Sequence, residues 1–188
     1  MKKETLFFVA VALIVGVLVG ILVSKGGKSP GPAPSSSSSA PAVNMQQDIQ
    51  LMEKLVANDP ANRGAWVQLG HAYFDSSQPV KAIEAYNKAL ELDPNDADVL
   101  TDQGVMFRQL GWFDRAEENF IKANEINPSH HQSLYNLGVV YRYDLQDMNR
   151  AREVWTRYLQ VNPSGPGSDS IRRELDALGS ASTLAPAK

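Results

Sequence analysis

Apolar and polar positions in the middle of the chain alternate with the spacing of amphipathic helices. The first such stretch places apolar or small residues at i, i+3, i+4 and i+7, which is one face of a helix: Trp66, Leu69, Gly70 and Tyr73. A second stretch follows with the same kind of face: Ala82, Ile83, Tyr86, Ala89 and Leu90. The pattern therefore predicts two consecutive helices that pack through their apolar faces.

The same pair of faces returns twice more along the chain. The second copy contains Leu100, Gly104, Phe107, Ala116, Phe120 and Ala123, and the third contains Leu134, Leu137, Gly138, Tyr141, Ala151 and Trp155. Prolines mark the ends of the copies, at Pro60, Pro94, Pro128 and Pro163, so the period is 34, 34 and then 35 residues. A fixed period of this length is typical of stacked helical hairpins. We therefore predict an all-α fold, a solenoid of helical hairpins.

Small residues recur in register within the copies. Gly70, Gly104 and Gly138 each reduce helix propensity by roughly 1 kcal/mol relative to Ala. Their recurrence predicts that another helix packs close to these three Cα atoms.

The third copy departs from the other two. It has one extra residue between Gly138 and Ala151, which we place within residues 143–149. It also has the bulky Tyr158 where the earlier copies have Ala89 and Ala123. We therefore expect its second helix to pack differently, against the C-terminal segment.

The first residues have another character. Thr5–Ser24 is uncharged, and at 1.5 Å per residue a helix of 20 residues spans about 30 Å, the thickness of a bilayer core. A cleaved signal peptide is the alternative, but it would have a shorter apolar run and a cleavage site directly after it. We therefore predict an uncleaved N-terminal membrane anchor. Gly16 and Gly20 form a small-xxx-small pattern that would allow two anchors to pair, although Gly is common in spanning helices.

Two lysines flank this segment on each side, and the α-amino group adds a slight N-terminal excess of positive charge. This predicts a single-pass membrane protein whose following domain is periplasmic or extracytoplasmic. The predicted organisation is an anchor (1–25), a disordered linker rich in Ser, Pro and Gly (26–43), an N-terminal capping helix or half repeat (44–62), three repeats (63–96, 97–130 and 131–165), a C-terminal capping helix (166–179) and a flexible tail (180–188). Apolar faces predict the two caps: Ile49, Met52, Leu55 and Val56 in the first, and Ile171, Leu175 and Leu178 in the second, with Arg172, Arg173 and Glu174 outside.

Charge and composition limit the possible partners and chemistry. Residues 44–188 contain 14 Lys and Arg and 20 Asp and Glu, a net charge of −6, which argues against binding to nucleic acid. The chain has no cysteine, so disulfides and thiol chemistry are absent. Adjacent His130 and His131 would point about 100° apart on a helix, so a polar N-terminal turn explains them better than a metal site. We identify no catalytic constellation, no cofactor site and no metal site, and predict that the protein is not an enzyme.

These motifs resemble the tetratricopeptide repeat family. In the first repeat, the motifs Trp66-x2-Leu69-Gly70-x2-Tyr73 and Ala82-x3-Tyr86 match the pattern of that family. The second repeat departs from it, because it has Leu100 and Gln103 where Trp and Leu are usual. In that family the first helix of each hairpin lines a concave groove. The resemblance thus implies a partner-binding groove lined by Val67, His71, Phe74, Asp75, Thr101, Asp102, Val105, Arg108, Gln109, Tyr135, Asn136, Val139, Arg142 and Tyr143.

Arg108 and Arg142 occupy equivalent positions one hairpin apart. Together they would hold an acidic side chain or a chain terminus of a partner. Alternatively they are solvated, or pair with Asp102 or Glu118. The Lys-and-Asn pattern by which some family members clamp a C-terminal carboxylate is not reproduced.

Anchor, linker and repeats together predict a membrane-tethered scaffold or adaptor that binds a protein or peptide segment in the groove. The layout is similar to that of anchored bacterial repeat proteins that assist cytochrome c maturation. The alternative is a structural protein that assembles with copies of itself into a membrane-associated oligomer.

Overall fold

Eight helices joined by short turns make up the part of the chain that the computed structural model describes, residues 41–183. They are α1 (Pro41–Asn58), α2 (Arg63–Asp75), α3 (Pro79–Leu92), α4 (Ala97–Gln109), α5 (Phe113–Ile126), α6 (His131–Val139, continued by a π-helical turn, Val140–Asp144), α7 (Met148–Val161) and α8 (Ser168–Thr183). Side chains are described between residues 45 and 179.

The helices form three hairpins, in which α2 packs on α3, α4 on α5 and α6 on α7. Each hairpin also contacts the next, and α1 and α8 cover the two ends of the stack. No strand occurs within residues 41–183. The predicted all-α stack of helical hairpins is therefore confirmed for the described residues.

Each hairpin is closed by an aromatic ring that lies on a glycine. A Cβ atom at Gly70 would lie 2.3 Å from Cε1 of Tyr86, and one at Gly104 would lie 2.6 Å from Cε1 of Phe120. Contacts below 3 Å between such atoms are sterically prohibited, so only glycine allows the ring to approach. The close approach predicted for these glycines is confirmed, and the approaching group is an aromatic ring of the second helix.

The first helix of each hairpin begins with a side-chain cap in the same register. Asn62 Oδ1 accepts a hydrogen bond from the Ala65 amide (3.0 Å), and Asp96 Oδ1 accepts one from Val99 (3.0 Å). His130 holds the equivalent position, where its Nδ1 accepts from the Ser133 amide at 3.3 Å. Such caps satisfy amide groups that have no partner within the helix. The polar N-terminal turn predicted for the two histidines is confirmed.

The turn inside each hairpin contains one residue with left-handed backbone geometry. These residues are Ser77 (φ 57°), Gly111 (φ 75°) and Gln146 (φ 57°). Only Gly111, which has no Cβ atom, adopts this conformation at no steric cost. Gly111 therefore ends its helix without steric cost, and the other two turns carry local strain.

The extra residue of the third repeat is taken up by the π-helical turn. The Leu145 amide donates to the Val140 carbonyl five residues earlier, at 2.9 Å. The turn spans Val140–Asp144 and so begins before the predicted segment 143–149. A π turn accommodates one additional residue without ending the helix, so α7 still pairs with α6.

Tyr158 is buried in a second apolar cluster at the C-terminal end. The cluster contains Leu134, Trp155, Tyr158 and Ile171, so it joins the third hairpin to α8. The Tyr158 hydroxyl donates a hydrogen bond to the Pro166 carbonyl. The predicted packing of this helix against the C-terminal segment is confirmed.

Several details differ from expectation at the two ends. Leu55 is 41% exposed instead of facing the core with Ile49, because the stack covers only the other side of α1. Glu174 was expected outside, but it accepts hydrogen bonds from Arg142 and Tyr143. The terminal helices are also longer than predicted, because α1 begins at Pro41 and α8 continues to Thr183.

The predicted membrane localisation requires a correction. Within residues 41–183, no helix has both the length and the continuous apolar character needed to cross a bilayer. The helices there are amphipathic, with one buried face and one polar face, so they pack on each other. On this finding the localisation as a single-pass membrane protein with an extracytoplasmic domain is wrong. The Thr5–Ser24 segment, the Gly16/Gly20 contact and the linker up to residue 40 lie outside the described residues.

Candidate functional site

The predicted groove residues lie on α2, α4 and α6, and we call their shared surface the first-helix face. Exposed residues on this face are His71, Asp75, Gln109, Tyr135 and Tyr143. Partly buried residues are Val67, Phe74, Asp102, Val105, Arg108, Asn136, Val139 and Arg142. The apolar members of this second group also pack against the two cores, so only part of each side chain is free to contact a partner.

Thr101 is the one predicted groove residue that the structure buries, with 3% of its surface exposed. Its hydroxyl donates to the Ala97 carbonyl at 2.7 Å and lies 3.4 Å from Nδ1 of His130. Thr101 therefore helps to join α4 to the start of α6 and is not available to a partner.

A series of ion pairs on the first-helix face joins each first helix to the one that follows. Nε of Arg108 lies 2.5 Å from Asp144, and Nε of Arg142 lies 3.1 Å from Glu174. Both guanidinium groups thus already have a carboxylate partner, and neither partner is Asp102 or Glu118. Hydrogen bonds from Tyr143 and then from Arg142 lower the pKa of Glu174, which keeps this carboxylate ionised.

The first junction of the series uses a histidine. His71 Nε2 lies 3.0 Å from Asp102 Oδ2. The hydrogen bond to Asp102, with smaller contributions from the charges of Asp102, Asp75 and Asp98, raises the pKa of His71 above its usual value. Asp102 thus contacts the imidazole directly, while Asp75 and Asp98 act on it through their charge.

A cavity of about 360 Å³ opens beside two of the predicted residues, Tyr135 and Asn136. Its walls are His131, Gln132, Tyr135, Asn136, Tyr158, Pro166 and Gly167. The rings of Tyr135 and Tyr158 have centroids 6.0 Å apart, and a Cβ at Gly167 would lie 3.0 Å from Tyr135. Aromatic walls beside two side-chain amides are suited to an apolar group with a neighbouring hydrogen-bonding group.

A further cavity of about 490 Å³ lies at the hairpin turns, away from the predicted groove residues. Its walls are Gly111, Trp112, Phe113, Asp114, Arg115 and Leu145. The guanidinium of Arg115 stacks over Phe107 and Trp112, at 5.5 and 5.4 Å from the ring centroids. Trp112 nevertheless remains 47% exposed.

Sequence reasoning missed part of the site. Asp98 lies one helical turn before Asp102, and that spacing was a signal that both share a face. The walls contributed by Pro166 and Gly167 come from the segment before α8, and no local pattern indicates that this segment returns to α6. Within residues 41–183, no group of three or more metal-ligating side chains converges.

Comparisons with known proteins agree with this architecture. Three tetratricopeptide repeat family models match, at residues 64–96, 85–118 and 132–165. Among curated relatives, human protein O-mannosyl-transferase TMTC3 is 33% identical over 97 residues, which cover 51% of this chain and 11% of that protein. The chain therefore spans only a small part of that relative. Photosystem I assembly protein Ycf3 of a Synechococcus strain is 28% identical over 133 residues, covering 61% of this chain and 77% of the relative.

Solved structures show the same fold. MamA superposes with a TM-score of 0.69 at 22% identity, covering 76% of this chain and 81% of that chain. The first repeat domain of Spaghetti (RPAP3), solved with the HSP90 peptide SRMEEVD, superposes with a TM-score of 0.58 at 23% identity. The match covers 64% of this chain and 93% of that chain. Repeats of this kind generally mediate binding between proteins or to peptides. From these matches and their stacked helical hairpins, residues 64–118 and 132–165 belong to the tetratricopeptide repeat family.

Proposed function

We propose that the first-helix face binds an extended segment or a short helix of a partner protein, so that the protein acts as an interaction scaffold. The cavity beside Tyr135 and Asn136 carries this proposal, because it gives an apolar side chain of the partner a place to bury. Its volume of about 360 Å³ lies within the range of roughly 300–1,000 Å³ that is typical of ligand pockets.

Polar groups beside the cavity would fix the partner's backbone. The side chains of Gln132 and Asn136 lie on its rim, and amides both donate and accept hydrogen bonds. The exposed rings of Tyr135 and Tyr143 add apolar surface with a polar end, which is frequent at binding hot spots. An apolar anchor flanked by hydrogen-bonded main chain is a common mode of peptide recognition.

The absence of cysteine makes the proposal directly testable. In the full chain, Gln109→Cys creates a unique thiol on the first-helix face, at an exposed position. A photo-crosslinker attached to this thiol should capture a recurring partner protein in extracts of the native organism. The matched control is Lys122→Cys, which places the same label on an exposed position of α5.

Two results support the proposal together: capture from position 109 but not 122, and at least tenfold weaker capture when Tyr135→Ala is added. Equal capture from both labels would contradict it. Crosslinks only to other copies of this chain would instead favour self-assembly.

A further inference from the structure

Three carboxylates at the first two repeats lack a permanently charged partner. Asp75 has no ion-pair partner among the described residues, while Asp102 pairs with His71 at 3.0 Å and Asp98 with His130 at 2.9 Å. The two guanidinium groups of the first-helix face are held further along, by Asp144 and Glu174. This end of the face therefore carries an excess of negative charge.

The position of Asp75 is unfavourable for the fold itself. It is the last residue of α2, where the negative end of the helix dipole repels a carboxylate. The Ser76 amide caps carbonyls of the last turn, but no salt bridge offsets the charge of Asp75 within the described residues. A residue that opposes its local structure in this way indicates a role other than folding.

A buried hydroxyl beside these carboxylates has no hydrogen-bond partner. Tyr86 is 0% exposed, and its hydroxyl is unsatisfied. Its ring meets the His71 imidazole edge-on, with centroids 5.8 Å apart. Burial, and then the charges of Asp102 and Asp75, raise the pKa of this hydroxyl. Buried polar groups are normally paired, so this one points to a missing partner.

We infer that Asp75 and Asp102 bind a lysine or arginine side chain of the partner segment, with Tyr86 beneath. The incoming cation takes the place of the His71 imidazole on Asp102 and bridges to Asp75. Once the imidazole, which meets the Tyr86 ring edge-on, has moved aside, the N–H groups of the cation donate to the oxygen of the Tyr86 hydroxyl. This inference rests on the proposed function and specifies the charge of its partner.

The geometry favours an organic cation over a metal ion. No three metal-ligating side chains converge on one point within the described residues. A long, flexible basic side chain does not need such convergence, because its several N–H groups can contact separate carboxylates.

The test uses the full chain and two amidated, acetylated peptides with one tyrosine and one leucine in an alanine context. The peptides differ only at their central residue, which is Lys in one and Glu in the other. Fluorescence anisotropy should show at least tenfold tighter binding of the Lys peptide. Asp75→Asn with Asp102→Asn should weaken that binding at least tenfold, whereas Glu118→Gln with Glu125→Gln on α5 removes the same charge and should change it less than twofold.

A single substitution distinguishes a loss of peptide binding from a loss of folding. Asp75→Asn alone should weaken Lys-peptide binding about threefold while the melting temperature stays the same or rises. A second readout is the imidazole of His71, whose NMR titration should move to lower pH when the Lys peptide binds, because Asp102 is then occupied.

Three results overturn the inference: equal effects of the two double variants, tighter binding of the Glu peptide, or an unchanged His71 titration at saturation. None of these affects partner capture from position 109. A failed capture with normal Lys-peptide binding would instead count against the proposed function alone.

Discussion

The indole ring of Trp155 lies directly on the backbone of Gly138. A Cβ atom at position 138 would be 2.1 Å from Nε1 and 2.3 Å from Cδ1 of that ring, and the ring itself is 2% exposed. The ring is thus almost fully buried against this backbone. The corresponding nearest distances in the other two hairpins are 2.3 Å at Gly70 and 2.6 Å at Gly104.

Gly138→Ala should therefore destabilise the protein, although alanine favours helix formation. Overpacking of this kind costs about 1–3 kcal/mol, which urea denaturation would detect. The matched control is Gly179→Ala in α8, where nothing lies within 4 Å of the added methyl group. That variant should gain about 0.5–1 kcal/mol from helix propensity. Equal effects of the two substitutions would show that the ring does not lie on Gly138.

Gln146→Gly should stabilise the protein by about 0.5–1 kcal/mol. Gln146 has a positive φ of 57°, where glycine avoids the steric cost that other residues have. The equivalent residue of the second hairpin, Gly111, is already a glycine with a positive φ of 75°. Thermal melts would measure the gain, and Gln146→Ala, which removes the same side chain but keeps the Cβ atom, should give none.

Arg108 and Asp144 should show measurable coupling in a double-mutant cycle. The pair is bidentate, at 2.5 and 3.2 Å, and the Asp144 side chain is only 14% exposed, so solvent screens it less than a surface pair. We expect a coupling free energy of about 0.5–2 kcal/mol. The exposed pair Lys88–Glu91 serves as the reference and should give about 0.3–0.5 kcal/mol. Equal coupling in the two cycles would contradict the conclusion that Arg108 joins α4 to α6 more strongly than an exposed ion pair does.

His71 should titrate above its usual pKa in an NMR experiment, and Asp102→Asn should bring its titration back down. Because the folded-state pKa is raised, the stabilisation from this pair is fully present below about pH 6.5, the unfolded value, and is lost as the pH rises through the folded value. Asp93→Asn, which removes a carboxylate outside the face, should leave the His71 titration unchanged. A titration of His71 at or below the usual value in the unmodified chain would refute the contact.

The sequence predicted the parts of this fold that depend on local spacing. Gly70, Gly104 and Gly138 stand out because each breaks the propensity of its own helix at the same place in every repeat. The partners of Arg108 and Arg142 were not predictable in this way. Asp144 comes within reach through the π turn, and Glu174 lies on a helix 32 residues away whose docking depends on the buried Tyr158.

The site was predicted less completely than the fold for a related reason. Repeat register places a residue on the first-helix face, but it does not tell whether a neighbouring repeat covers that residue. Thr101 is covered by His130, and that contact arises because a histidine occupies a cap position where the other repeats have Asn62 and Asp96. The excess of negative charge near Asp75 and Asp102 likewise became apparent only from the structure, which pairs Arg108 with Asp144 and Arg142 with Glu174.

The ion pairs along the first helices make the joints of the solenoid differ in their response to acidity. In a stack where each hairpin touches only its neighbours, the bend at one joint is set by the contacts at that joint. Each of the three joints has a guanidinium pair, whose charge is constant at all physiological pH values: Arg63–Asp96, Arg108–Asp144 and Arg142–Glu174. The first two joints also have a histidine pair each, His71–Asp102 and His130–Asp98, and the charge of a histidine depends on its protonation. Within the described part, acidity therefore acts on contacts at the first two joints, while the ion pair at the third does not respond to it.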